Sequence, residues 1–178
     1  MDSINQHQPE KNHEDLHGEK AIQKLKELIK ASNSCFFTTN VNSNAKLATR
    51  PMSVQQVDDR GNLWFLSAND SNKNQELQKD KGVQLLFKGS DHSDFLSIMG
   101  QAEISYDRQK IEELWEPLLK TWFTEGKDDP RITVIQVRPE DCYYWDNKHG
   151  NAIAFVKMSI GAAIGKTLDD SIEGELKV

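Results

Sequence analysis

Residues 48–67 decide the fold: Ala48-Thr49-Arg50-Pro51-Met52-Ser53, then Asp58-Asp59-Arg60-Gly61-Asn62, then Leu63-Trp64-Phe65-Leu66-Ser67. Two β-rich runs on either side of an Asp/Gly/Asn cluster make a hairpin. The spacing predicts one strand over 46–57 and another over 63–68. Pro51 has no amide to give to a ladder, which suggests an edge position or a local break.

Upstream, Ala21, Ile22, Leu25, Leu28 and Ile29 recur at helical spacing from Glu19, a helix of about three turns that Asn33-Ser34 ends. Cys35 to Thr39 then reads as a strand and Asn42-Ser43-Asn44 as a turn. Downstream, Ser71 or Asn72 can cap a short helix to about Lys79, and strands follow over 83–88 and 95–106, the second with a bulge or bend at Gly100. Ile111, Leu114, Trp115, Leu118, Leu119, Trp122 and Phe123 continue one apolar helical face, which Pro117 splits. Further strands are expected over 132–137 and 142–146, joined across Pro139, and over 152–158. Six or seven strands joined mostly by hairpins, with short helices, describe a mainly β chain (α+β) closed into an antiparallel barrel. No Gly-x-Gly-x-x-Gly, no Walker sequence and no βαβ alternation is present, so a Rossmann or P-loop site is not expected.

The 178 residues fit one domain, read here as 19–160, preceded by a polar mobile tail over 1–18 and followed by an extension over 161–178. His7, His13 and His17 lie in that tail with nothing to preorganise them for a metal, and Asp91, His92 and Asp94 read as a solvated turn. A net charge of -6 argues against nucleic acid as a partner. No apolar run reaches the ~20 residues that cross a bilayer, and the N-terminus lacks a signal-peptide pattern, so the expected location is cytoplasmic. Cys35 and Cys142 read as two small buried hydrophobes, without a disulfide or a zinc site.

Arg50 and Lys73 flank the aromatic strand, a pairing that can hold a flat ring at one end and a phosphate at the other, as a flavin mononucleotide requires. Taken alone, Arg50 reads as a barrel-mouth arginine with its stem packed and its head in water. Ser67, Asn69, Ser71 and Asn74 give Lys73 the hydroxyls, amides and helix start that a phosphate needs, or else simply a well-capped loop. Trp122 fits core packing through its spacing with Leu118 and Leu119. Tyr144 and Trp145 are adjacent on a strand, so at least one faces outward. No acid, base or nucleophile can be nominated for catalysis.

Arg50-Pro51-Met52, Leu63-Trp64-Phe65-Leu66-Ser67, Lys73, Trp122-Phe123, Gly126-Lys127-Asp128-Asp129-Pro130 and Tyr144-Trp145-Asp146 resemble the general stress proteins of the pyridoxamine 5'-phosphate oxidase-like group, over about 19–157. The resemblance implies a split β-barrel homodimer with FMN, or FAD, at the subunit interface. It implies that Arg50, Pro51, Met52 and Ser53 line the isoalloxazine ring, that Trp64, Ser67 and Asn69 follow the ribityl chain and ring edge, and that Lys73 and Asn74 hold the phosphate. Trp122 and Trp145 would come from the second subunit. The pyridoxamine phosphate oxidases carry an arginine-bearing segment after the last Trp; here 147–178 holds no arginine, which argues against that reaction. An oxidoreductase of unknown substrate and a non-catalytic flavin-binding or flavin-sensing module both remain, with a single-stranded nucleic-acid barrel built on Trp64 and Phe65 disfavoured by the acidic charge.

Overall fold

A computed structural model describes residues 11–90, 93–150, 153, 154, 156, 157, 159, 160 and 170–178. In chain order the elements are β1 (Leu16–His17), α1 (Glu19–Ala31), β2 (Ser34–Thr39), β3 (Ala48–Ser53), β4 (Gln56–Val57), β5 (Leu63–Ala68), α2 (Asn72–Lys79), β6 (Gly82–Lys88), β7 (Phe95–Ser105), α3 (Arg108–Leu114), β8 (Ile132–Asn147) and β9 (Ser171–Lys177). Single 3-10 turns occupy Pro117–Thr121 and Gly126–Asp128.

The barrel closes through chain continuity rather than through a complete ladder. β2 pairs with β3 and β6, β6 with β7, β7 with β8, β8 with β5, and β5 with β4, all antiparallel. β3 runs into β4 through Val54 and Gln55, so β3 and β4 are two halves of one broken strand and the circuit has a split beside them. This leaves β3 on the edge, where Pro51 costs no ladder bond. The turn after β4 is held by Asp58, whose carboxylate accepts from the amides of Arg60 and Asn62, and Gly61 supplies the positive φ of 78°.

β8 serves two partners on one edge. Its first half pairs with β5 and its second half with β9, while β7 runs along the other edge throughout. The register of β7 on β8 shifts between Met99 and Gly100, beside Pro139, which has no amide to donate. A Cβ on Gly100 would lie 2.4 Å from the Arg138 carbonyl oxygen, so the two chains approach too closely there for any other residue. That bend separates the barrel from a flap in which β9 adds to β8 and β1 adds in parallel to β9.

The main core lies inside the circuit. Phe37 and Phe65 meet edge to face at 5.4 Å, and Leu25 and Leu28 of α1 are buried in the same cluster. Each such side chain contributes about 1.5–3 kcal/mol by leaving water. A second cluster, Leu66, Ile111, Leu114, Phe123, Ile132 and Val134, is formed by β5 and β8 with α3 and the chain after it. Alternation along β5 produces both: Leu63 and Phe65 join the first, Leu66 the second. Both cysteines are buried and free, and burial pushes their thiols up to about 12.

Four expectations are corrected. Residues 11–17 are not a free tail: Asn12 is buried, His13 bridges to Glu173, and Leu16 and His17 pair with Leu176 and Lys177. The one strand expected over 46–57 is broken into β3 and β4, and only β4 pairs with β5. Residues 153, 154, 156 and 157 are helical rather than extended, Ala152, Phe155 and Met158 lying outside the described residues. Leu118 and Trp122 are 71% and 63% exposed, because the chain leaves α3 after Leu114 and re-enters a 3-10 turn whose period rotates them away from the core. His7, Asp91 and His92 also lie outside the described residues.

Candidate functional site

The site grows from the start of α2. Ser71 caps that helix, its Oγ accepting from the Asn74 amide at 3.3 Å. The helix turns Lys73, Asn74 and Leu77 inward. Asn74 is held on both sides: Ser67 Oγ donates to its Oδ1 at 2.7 Å, and its Nδ2 donates to Thr133 Oγ1 at 2.9 Å. Thr133 in turn donates to the Ser67 carbonyl at 2.9 Å. This buried loop of bonds ties α2 to β5 and β8, and so fixes the backbone that carries Lys73.

Lys73 is only 9% exposed, and no hydrogen bond or ion pair joins its ammonium to a described residue. Burial pushes it down to about 8, the charge of Arg50 adding to the shift and that of Glu76 opposing it. Arg50 reaches the same place from the edge strand. Its Nη1 donates to Thr39 Oγ1 at 2.7 Å and its Nη2 to Glu76 Oε2 at 2.6 Å. The Thr39 hydroxyl donates onward to the same Glu76 oxygen at 2.5 Å. Burial raises the Glu76 carboxyl, but the bonds from Thr39 and Arg50 and the charges of Arg50 and Lys73 outweigh it, so the group lies below the ordinary range. Glu76 thus neutralises Arg50, while Lys73 feels that carboxylate only at a distance and remains the one positive charge in excess.

A second feature lies on the outer face of the sheet. Pro51, Phe36, Leu86, Ser97 and Tyr143 stand opposite one another across five strands. Phe36 is 60% exposed and Leu86 41%. Beside them runs an apolar groove of about 570 Å³ whose lining includes Phe36, Pro51, Leu86, Phe95 and Trp145.

The family profile described as pyridoxamine 5'-phosphate oxidase like matches residues 20–169. The chain belongs to the pyridoxamine 5'-phosphate oxidase-like family. Among curated proteins it is similar to protein bli-3 of Neurospora crassa, 27% identical over 132 residues, covering 69% of this chain and 63% of that protein. Among solved structures it resembles a protein assigned to general stress protein 26 from Jannaschia sp. CCS1 (TM-score 0.73, 19% identity, covering 89% of this chain and 99% of that one). It also resembles the general stress FMN/FAD binding protein of Xanthomonas citri (TM-score 0.59, 22% identity, covering 69% and 86%). The split barrel is the fold of this oxidase-like family.

Within one chain of this oxidase-like fold, the expected site residues fall into groups. Arg50, Lys73, Ser67 and Asn74 come together, with Ser67 and Asn74 spending their side chains on the buried loop. Asn69 sits beside them, its amide donating to the Arg131 carbonyl at 2.8 Å. Strand alternation divides the β3 run: Arg50 and Met52 face inward and are half-buried, whereas Pro51 and Ser53 face outward. Pro51 shares the outer groove with Trp145. Trp64 is not brought to Lys73: it lies on the other face of β5, donates to Asp58 Oδ2 at 3.1 Å, and carries the Lys110 ammonium 4.4 Å above its ring. Trp122 lines a separate cleft with Ser53, Gln55, Lys30 and Glu116. Tyr143 and Tyr144 are both buried, and the Tyr143 ring packs against the half-buried Trp145 with centroids 4.8 Å apart.

Thr39, Glu76 and Thr133 escaped the sequence reading. Glu76 was within reach of it, since it follows Lys73 by one helical turn and shares its face. Thr39 and Thr133 become visible only when the β2–β3 and β5–β8 registers are known. Among the described residues no group of three or more His, Cys, Asp or Glu could hold a metal, and no helix is long and apolar enough to cross a membrane.

Proposed function

We propose that the chain is an FMN-binding flavoprotein that works as a homodimer and serves as an oxidoreductase of a substrate other than pyridoxamine phosphate. One observation carries the reading: Lys73 is a buried ammonium with no partner among the described residues, next to Arg50, at the capped start of α2. An uncompensated buried cation is costly, and a phosphate restores what burial removed. FMN is favoured over FAD because its terminal phosphomonoester is compact and doubly charged, which suits two converging cations.

The free edge of β3 offers backbone donors and acceptors to the polar rim of the isoalloxazine ring. The outer groove supplies Pro51 and Trp145 as flat walls, and the exposed Phe36 and Leu86 face supports pairing of two copies, whose junction would enclose the ring. When bound, the flavin would supply the one- and two-electron chemistry. The protein's own part is to hold the phosphate, orient the ring and keep water from it. The absence of arginine over 147–178 supports excluding pyridoxamine phosphate as the substrate.

The reading is tested by adding FMN to the purified chain and following the quenching of flavin fluorescence. Saturation at one FMN per chain supports it. Anaerobic NADH or NADPH then separates an oxidoreductase, whose bound flavin bleaches and recovers with an acceptor, from a storage or sensing module, whose flavin stays oxidised.

A further inference from the structure

Glu76 stands where an anion from a ligand would stand. Its carboxylate takes one Arg50 nitrogen at 2.6 Å and the Thr39 hydroxyl at 2.5 Å, while the same hydroxyl accepts the other Arg50 nitrogen at 2.7 Å. Arg50, Thr39 and Glu76 therefore form a closed three-membered set that presents Arg50 already neutralised. The neighbouring Lys73 has no such partner. The two cations are not equivalent: one is open to a ligand, the other occupied.

We propose that Glu76 is a resident anion that a phosphate must displace from Arg50, and that it thereby sets the selectivity of the site between phosphorylated and unphosphorylated ligands. This rests on the reading of the Lys73 end as a phosphate site. The chemistry follows from charge. A phosphomonoester dianion arriving at Lys73 meets one free positive charge and, close by, the Glu76 carboxylate. It gains a second cation only by exchanging with that carboxylate, and the two anions repel until the exchange is made. A neutral ligand such as riboflavin has no phosphate to place there and is indifferent to Glu76. Thr39 holds the resting arrangement, and the two Arg50 nitrogens it shares with Glu76 are those a phosphate would take in bidentate fashion.

Gln at position 76 is the decisive change, because its carbonyl oxygen can still accept from Thr39 and Arg50 while its charge is gone. Wild type, Glu76→Gln and Glu76→Asp are titrated calorimetrically with FMN, riboflavin and ribose 5-phosphate, after thermal melts establish that each variant is folded. In Glu76→Gln, affinity for FMN and for ribose 5-phosphate is expected to rise on the order of tenfold or more, with riboflavin within about twofold. Glu76→Asp keeps the charge but withdraws it from Arg50, and is expected to give a smaller rise of the same sign. Weaker FMN binding by Glu76→Gln, or equal changes for FMN and riboflavin, overturns the proposal by making Glu76 a mere positioner of Arg50. If no flavin binds any of the proteins while ribose 5-phosphate binds the Gln variant more tightly, the flavin reading fails and the inference about Glu76 stands. If ribose 5-phosphate is unaffected by Glu76→Gln, the inference fails.

Discussion

The Arg50 guanidinium on β3 donates to the Glu76 carboxylate on α2 at 2.6 Å, tying the edge strand of the barrel to the helix that carries Lys73. The pair makes the charged end of the site a joint product of two elements far apart in sequence. It also explains why β3, held by a ladder on one side only, keeps its place.

Lys73→Met is expected to stabilise the unliganded protein and to weaken FMN while sparing riboflavin. The Lys73 ammonium ordinarily titrates at 10.5, and in the fold it is pushed down to about 8. Between those values the unfolded chain binds more protons than the folded one, so the penalty of the buried charge is full below pH 8 and disappears as pH rises to about 10.5. Denaturant melts at pH 7 should show the Met variant more stable by about 1–3 kcal/mol, and the gap should close by pH 10.5. A constant gap across that range contradicts the assignment.

FMN affinity should depend on pH in a way that Lys73 dictates. Below about pH 6 the phosphate loses its second charge. Above about 8 the free protein must take up a proton at Lys73 to bind, so affinity should fall up to about tenfold per unit of pH until the bound complex itself titrates. Fluorescence titrations between pH 5.5 and 10 check this, and the Lys73→Met variant should lack the alkaline fall.

Much of this was legible in the residues. The turn over 58–62, the Pro51 edge and the Ser71 cap rest on local chemistry and stand where that chemistry puts them, whereas only Gln56–Val57 of the strand expected over 46–57 pairs across that turn. Trp122 departs from its helical spacing because Pro117 starts a 3-10 turn of a different period, and the short apolar run over 152–158 has no period that separates helix from strand. The docking of residues 11–17 depends on β9, a strand of mixed polarity whose place is set by the far half of β8. Of the candidate site, the gathering of Lys73 with Ser67, Ser71 and Asn74 could be read from their spacing, whereas the division of β3 between two faces and the remoteness of Trp64 follow from register.

Asn74→Ala should cost about 1–3 kcal/mol, because it leaves the Ser67 and Thr133 hydroxyls buried without their shared partner. Thermal melts monitored by circular dichroism check the loss. FMN affinity should fall with it, since α2 loses the bonds that hold Lys73 in place.

Gly174→Ala should detach the N-terminal strap without unfolding the barrel. A Cβ there would lie 2.0 Å from the Glu14 carbonyl oxygen, a backbone atom that cannot yield without residues 11–17 moving off β9. Hydrogen exchange should show lost protection at Glu14, whose amide donates to Glu173 at 2.8 Å, with the barrel strands unchanged.

Phe36→Asp should yield a folded monomer with poor flavin affinity. Phe36 is 60% exposed, so the change costs little within one chain, but a charge in the middle of the apolar row opposes pairing of two copies. Sedimentation velocity reads the assembly, and FMN titration on the same samples reads the linkage between assembly and binding.

The most direct test of the account is a side-by-side titration of wild type and Lys73→Met with FMN and riboflavin at pH 7. The account predicts saturable FMN binding to wild type, a loss of tenfold or more in the variant from a missing charge-assisted bond of about 1.5–3 kcal/mol, and nearly equal riboflavin affinities. Folded wild-type protein that shows no saturable FMN binding, or a variant that loses both ligands equally, would contradict it.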